Sequence, residues 1–273
     1  MASIALRDVC VEFPIYQGSS RSLKRALLRA GAGGRIDRNK DNRILVKALR
    51  DVTLDIRHGD RIGLLGGNGA GKTTLLRVLA GVYEPVSGNV QINGRVSPMF
   101  DVGLGLNPDA TGYENIMLRG LYMGMKPAEV AKHTEEIVEF TELGDYLAMP
   151  VRTYSAGMTL RLAFAVATCA QPEILLMDEW IVAGDSHFIN KAHARLESFI
   201  NKSSVLVLAS HTETLLRQWC NKLILLDHGN VIRVGPPDEV IAFYHTEHNN
   251  NDAVPSNAES PSELIPGIAN VGP

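Results

Sequence analysis

Apolar and polar residues alternate over the first sixty positions. Ile4, Leu6, Val9, Val11 and Phe13 predict an opening strand, and Val52, Leu54 and Ile56 predict a second that ends at the turn His58-Gly59-Asp60. From Arg61 onward the pattern changes. Short apolar runs at 61–65, 174–178, 204–209 and 222–226 are read as strands, and stretches near 72–80, 114–124, 127–141, 156–170, 187–201 and 212–219 as helices. Apolar strands alternating with helices imply a parallel sheet with helices on its faces.

Two segments break this pattern. Residues 17–43 hold eight basic residues against Asp37 and Asp41, and Leu23, Ala26, Leu27 and Ala30 recur at helical spacing, so 20–30 reads as a short basic amphipathic helix closed by Gly31. Residues 246–273 have no aromatic residue and are dominated by Asn, Pro, Ser, Glu and Gly, a composition that predicts a disordered tail. The organisation expected is one domain over 1–245, interrupted by the 17–43 insert, with a helical subdomain at about 105–165.

The strand 61–65 runs into Gly66-Gly67-Asn68-Gly69-Ala70-Gly71-Lys72-Thr73-Thr74, a G-x-x-x-x-G-K-[ST] pattern between strand and helix. Gly66, Gly69 and Gly71 let the loop bend so that backbone N–H groups and the helix N-terminus face phosphate oxygens. Lys72 is expected at the β- and γ-phosphates, and the Thr73 hydroxyl on Mg²⁺. The apolar run 174–177 delivers Asp178 and Glu179 to a strand end. Asp178 suits Mg²⁺, and Glu179 suits taking the proton of an attacking water. His211, after the apolar run 205–209, falls on the same sheet edge if the two strands are parallel neighbours.

Tyr154-Ser155-Ala156-Gly157-Met158, placed before a helix, resembles the signature motif of ABC-transporter ATPases, in the variant seen in O-antigen, teichoic-acid and capsule exporters. Thr111-Gly112-Tyr113-Glu114-Asn115-Ile116 resembles the same subset. The resemblance implies an α/β P-loop ATPase domain with a mixed sheet, an antiparallel N-terminal β part and a helical subdomain carrying the signature. It also implies ATP and Mg²⁺ as ligands, and a head-to-tail pair of copies in which Ser155, Ala156, Gly157 and Met158 act on nucleotide held by the partner. Asp185, in Ala183-Gly184-Asp185, would contact that partner, and His211 matches the switch histidine. Phe13 or Tyr16 would stack on adenine, although either reads equally as a core aromatic. The family usually has a Gln after the phosphate loop that senses Mg²⁺. Residues 96–103 contain none, and Asp101 is the candidate for its place.

The 273 residues are 45% hydrophobic, enough for a substantial core, and a net charge of -3 gives no whole-chain case for nucleic-acid binding. Cys10, Cys169 and Cys220 are spaced for neither a disulfide framework nor zinc, which points to the cytosol. No run reaches the roughly 18–20 apolar residues of a bilayer span. Together with these features, the resemblance implies a peripheral subunit on the cytoplasmic face of the membrane, paired with two copies of a multi-span permease and expected to lack the C-terminal glycan-binding domain of some relatives. A soluble ATPase acting on DNA or ribosomes would carry long coiled coils or two fused ATPase units, and no sustained heptads occur here. A P-loop kinase is disfavoured by Glu179 beside Asp178 and by the signature. The 17–43 insert reads either as a solvated helix or as a contact with anionic lipid headgroups.

Overall fold

The computed structural model describes residues 1–15, 36–38, 44–100, 105–178 and 186–252. Tyr16, Asp101, Glu179, Asp185, the helix expected at 20–30 and the tail beyond 252 lie outside the described residues.

Two sheets face each other. In the first, β1 (Ser3–Ile15) pairs antiparallel with β3 (Ile44–Arg57) on one edge and β5 (Ser87–Asn93) on the other, with β2 (Ile36–Arg38) outside β3. The second has the order β10-β9-β4-β8-β7-β6. It comprises β10 (Asn230–Gly235), β9 (Lys222–Asp227), β4 (Arg61–Leu65), β8 (Val205–Ala209), β7 (Ile174–Asp178) and β6 (Val96–Met99). Its pairs from β9 to β6 are parallel, and β10 joins β9 antiparallel.

The unbroken apolar runs are explained by cores on both faces of this second sheet. On β7, Ile174 and Leu176 pack with Ile4, Leu6 and Val52 of the first sheet and with Leu75 and Leu76 of α1 (Lys72–Leu79). Leu175 and Met177 point to the other side, among the helices. Each such buried aliphatic side chain contributes about 1.5–3 kcal/mol.

That second core joins the sheet to a helical layer of α2 (Gly112–Tyr122), α3 (Pro127–Thr141), α4 (Ala156–Ala167) and α5 (Ser186–Lys202). Phe140, Phe164 and Phe188, one each from α3, α4 and α5, have ring centroids 5.6–6.4 Å apart. The Arg195 guanidinium lies 4.3 Å from the Phe140 centroid. α6 (Glu213–Trp219) and α7 (Pro237–Asp252) are the last helices of the described residues, with the His245 ring 2.8 Å from Glu213 and Arg217 paired with Asp238.

The fold agrees with the expected mixed α/β architecture. α7 runs to Asp252, seven residues beyond the boundary expected at 245, and its apolar Val240 and Ile241 are buried against the sheet core. Burial at the start of the helix carries its polar end along.

Candidate functional site

β4, β8 and β7 are parallel neighbours, and their register places Leu64 beside Ala209 and Ala209 beside Asp178. Three chain segments therefore leave the sheet at one edge: the phosphate loop after Leu65, Ser210-His211 after Ala209, and Asp178. This is the carboxyl edge, where open parallel sheets bind ligands. A cavity of about 560 Å³ opens there, lined by Asn68 to Thr74, Asp178, Ser210 and His211 and by the apolar side chains of Phe13, Val46, Ala48 and Phe100.

The loop's shape depends on its glycines. Gly66, Gly69 and Gly71 have φ of 148°, 71° and 113°. A Cβ on Gly66 would stand 2.2 Å from the Leu226 carbonyl oxygen, and one on Gly71 would stand 2.9 Å from that of Ala48. The loop is also anchored from outside, because the Gly229 N–H donates to the Ala70 carbonyl at 2.9 Å while the Gly229 carbonyl accepts from the Arg50 N–H at 2.9 Å. The β9–β10 turn thus ties the loop to the first sheet. Lys72 is 7% exposed, and its Nζ donates to the carbonyls of Gly66 at 2.6 Å and Gly67 at 3.2 Å. An ammonium so placed, beside the N–H groups that open α1, forms a positive concavity suited to a polyphosphate.

Of the two aromatics proposed for a base, Phe13 lines the cavity. The flat apolar wall of Phe13, Val46 and Ala48 follows from register, since Phe13 pairs with Val46 across β1 and β3. The sequence reading missed Val46, Ala48, Phe100 and Ser210. The alternation of Val46 and Ala48 on β3 was the available signal for two of them. Ser210 is 3% exposed, and its Oγ accepts from the Thr212 N–H at 3.0 Å, a local turn that brackets His211.

The Tyr154–Met158 motif is built separately. Ser155 is the N-cap of α4, its Oγ accepting from the Met158 N–H at 3.2 Å, and Ala156 opens the helix. Ser155, Gly157 and Met158 line a second cavity of about 360 Å³ with Glu142, Tyr146 and Arg161, none of which lines the phosphate-loop cavity.

The Thr111–Ile116 segment supports it. The Thr111 N–H donates to Glu114 Oε2 at 2.7 Å and the Glu114 N–H to Thr111 Oγ1 at 3.2 Å, a capping box for α2. The Thr111 N–H, together with the Thr111 hydroxyl that donates to the same oxygen at 2.9 Å, holds the Glu114 carboxyl below the usual carboxylate range. Asn115 is fully buried and its side chain donates to the carbonyls of Asn107, Ala110 and Thr111. Gly112 leaves room for Tyr154, whose hydroxyl would lie 2.4 Å from a Cβ there and donates to the Tyr146 carbonyl at 2.7 Å. Burial pushes the Tyr154 phenol up from its ordinary value. The two sequence motifs are therefore one packed unit.

Residues 49–182 match the family model described as ABC transporter. The chain is 44% identical to the O-antigen export system ATP-binding protein RfbE of Yersinia enterocolitica, over 84% of this chain and 96% of that protein. It is 43% identical to the O-antigen export system ATP-binding protein RfbB of Myxococcus xanthus, over 89% of this chain but only 56% of that longer relative. The teichoic acids export ATP-binding protein TagH of Listeria innocua is 34% identical over 88% of this chain and 69% of its own length. Among solved structures, the dimeric ATP-binding cassette MJ0796 bound to ADP and Pi superposes with a TM-score of 0.60 at 21% identity, over 86% of this chain and 98% of that one. No helix of the described residues is long and apolar enough to cross a membrane.

Proposed function

Because this chain belongs to the ABC transporter family of ATP-binding proteins, we propose that it is the ATP-hydrolysing subunit of an exporter that moves a lipid-linked cell-surface polysaccharide across the membrane. The observation that carries the catalytic half is the meeting of Lys72, Asp178 and His211 in one cavity that Phe13, Val46 and Ala48 also line. That arrangement offers both phosphate binding and a base platform. The glycan half rests on the O-antigen and teichoic-acid exporters to which the chain is similar.

Each residue has a distinct task. The backbone N–H groups of the loop and first helical turn, with Lys72, hold and neutralise the β- and γ-phosphates. Thr73 and Asp178 line the same cavity and are both hard oxygen donors, so they fit Mg²⁺, with Asp101 as a further candidate. Mg²⁺, when bound, would supply charge neutralisation at the terminal phosphates. His211 is placed to hydrogen-bond the γ-phosphate, and Glu179, next after Asp178, takes the proton of the attacking water. Phe13, with Tyr16 as the alternative, stacks on the adenine. Ser155 to Met158 close on nucleotide held by a second copy, consistent with Ser155, Gly157 and Met158 lining a cavity separate from that of their own loop, and Asp185 contacts that copy. Two such copies drive a multi-span permease as peripheral subunits.

The test is Glu179→Gln. The purified variant should bind ATP as the parent does while losing nearly all turnover. Cells carrying only that variant should lose surface polysaccharide and accumulate lipid-linked polymer inside. Undiminished hydrolysis would remove Glu179 from the base role, and intact surface polysaccharide would remove the export assignment.

A further inference from the structure

The base end of the cavity is tied to the phosphate end by a residue outside both. Tyr83 does not line the cavity, yet its ring stands edge-on to Phe13, with centroids 5.1 Å apart and planes at 70°. Arg77, in the last turn of α1, donates from its guanidinium to the Tyr83 hydroxyl at 2.8 Å. The Arg77 carbonyl accepts from the N–H groups of Val82 at 2.8 Å and Tyr83 at 3.3 Å. The helix that begins with Lys72 thus ends by gripping Tyr83 through both side chain and backbone, and Tyr83 holds Phe13.

We propose that Tyr83 is a positioning residue for nucleotide binding: it fixes the Phe13 ring against the phosphate helix, so that the base platform and the phosphate cradle keep one spacing. The proposal rests on Phe13 being the base platform. Phe13 is half-buried near the end of a strand beside the insert, where one aromatic neighbour removes much of its rotamer freedom. A preorganised platform binds a base more tightly because less ordering remains to be done on binding.

Titration of the full chain with Mg-ATP and, separately, with magnesium tripolyphosphate, which has phosphates and no base, separates the possible roles. Tyr83→Leu should raise the Kd for ATP about three- to tenfold, the value of an aromatic pair. The Kd for tripolyphosphate should not change. Tyr83→Phe keeps the ring and loses the Arg77 bond, and should restore most of the affinity. If Tyr83→Leu binds ATP normally while Phe13→Leu does not, the positioning role is wrong and the platform stands. If Phe13→Leu also binds normally, both are wrong. Equal weakening of ATP and tripolyphosphate by Tyr83→Leu would show general damage to the loop and would overturn the positioning role.

Discussion

Ser155 has two jobs that different substitutions separate. As the N-cap of α4 its Oγ accepts the Met158 N–H at 3.2 Å from an exposed position, and as part of the proposed signature it donates to a phosphate held by the partner. Ser155→Ala removes both and should cost about 1 kcal/mol of stability, the usual value of a lost cap. Ser155→Asp caps as well as Ser, and its charge at a helix N-terminus adds a few tenths of a kcal/mol. Yet it replaces a donor with a carboxylate facing phosphate. At about 5 Å and an effective dielectric near 20, one pair of unit charges repels by about 3 kcal/mol. That corresponds to a loss of about a hundredfold or more in turnover. Urea unfolding should therefore rank Ala below Asp and parent, while phosphate release at saturating ATP should rank Asp lowest. Parental turnover in the Asp variant would refute the phosphate contact. Equal destabilisation by Ala and Asp would refute the cap.

Two further predictions follow from buried polar groups. Asn115 Oδ1 accepts from the Asn107 N–H at 2.7 Å and its amide faces three carbonyls, each of which keeps a backbone donor if the side chain is cut back. Asn115→Ala should thus cost only about 2 kcal/mol, about 4–8 °C in Tm. Asn115→Asp, aiming a carboxylate at those carbonyls, should melt lower, and an Asp variant as stable as Ala would contradict the amide's orientation. Burial raises the thiols of Cys169 and Cys220 from the ordinary value near 9 to about 11 and about 12. Both should resist a thiol reagent at pH 8 until urea exposes them. Because the folded state holds these protons more tightly, the associated stability is complete below pH 9. It should be lost as the pH climbs toward 11–12, and fast native labelling at pH 8 would contradict this burial.

The central sheet was legible because strands buried on both faces must be apolar throughout, as Ile174–Met177 and Val205–Ala209 are. The phosphate loop was legible because its shape admits few residues besides glycine at 66 and 71. The strands β5, β6 and β10 were not recognised. β5 is largely exposed and reads Ser-Gly-Asn-Val-Gln-Ile-Asn, with little apolar alternation. β6 contains Pro98, which suggests a non-strand and is tolerated because β6 is the last strand of its sheet. The supports of the site escaped for another reason. Gly229 reaches Ala70 across 159 positions of chain, and Tyr83 reaches Phe13 across 70, contacts that no local pattern encodes.

The fit of Gly112 under the Tyr154 hydroxyl makes these two positions a coupled pair under mutation. A side chain at 112 should be rejected while Tyr154 remains, and a smaller residue at 154 should leave a void and leave the Tyr146 carbonyl only its bond from the Met149 N–H. In a library randomised at both sites, survivors should concentrate in a few volume-matched combinations, with most single changes absent. The route from this variant of the motif to a differently packed one would then pass through less fit intermediates or a simultaneous double change. A packing contact within one subunit would in this way restrict how a motif proposed to act on a partner can evolve.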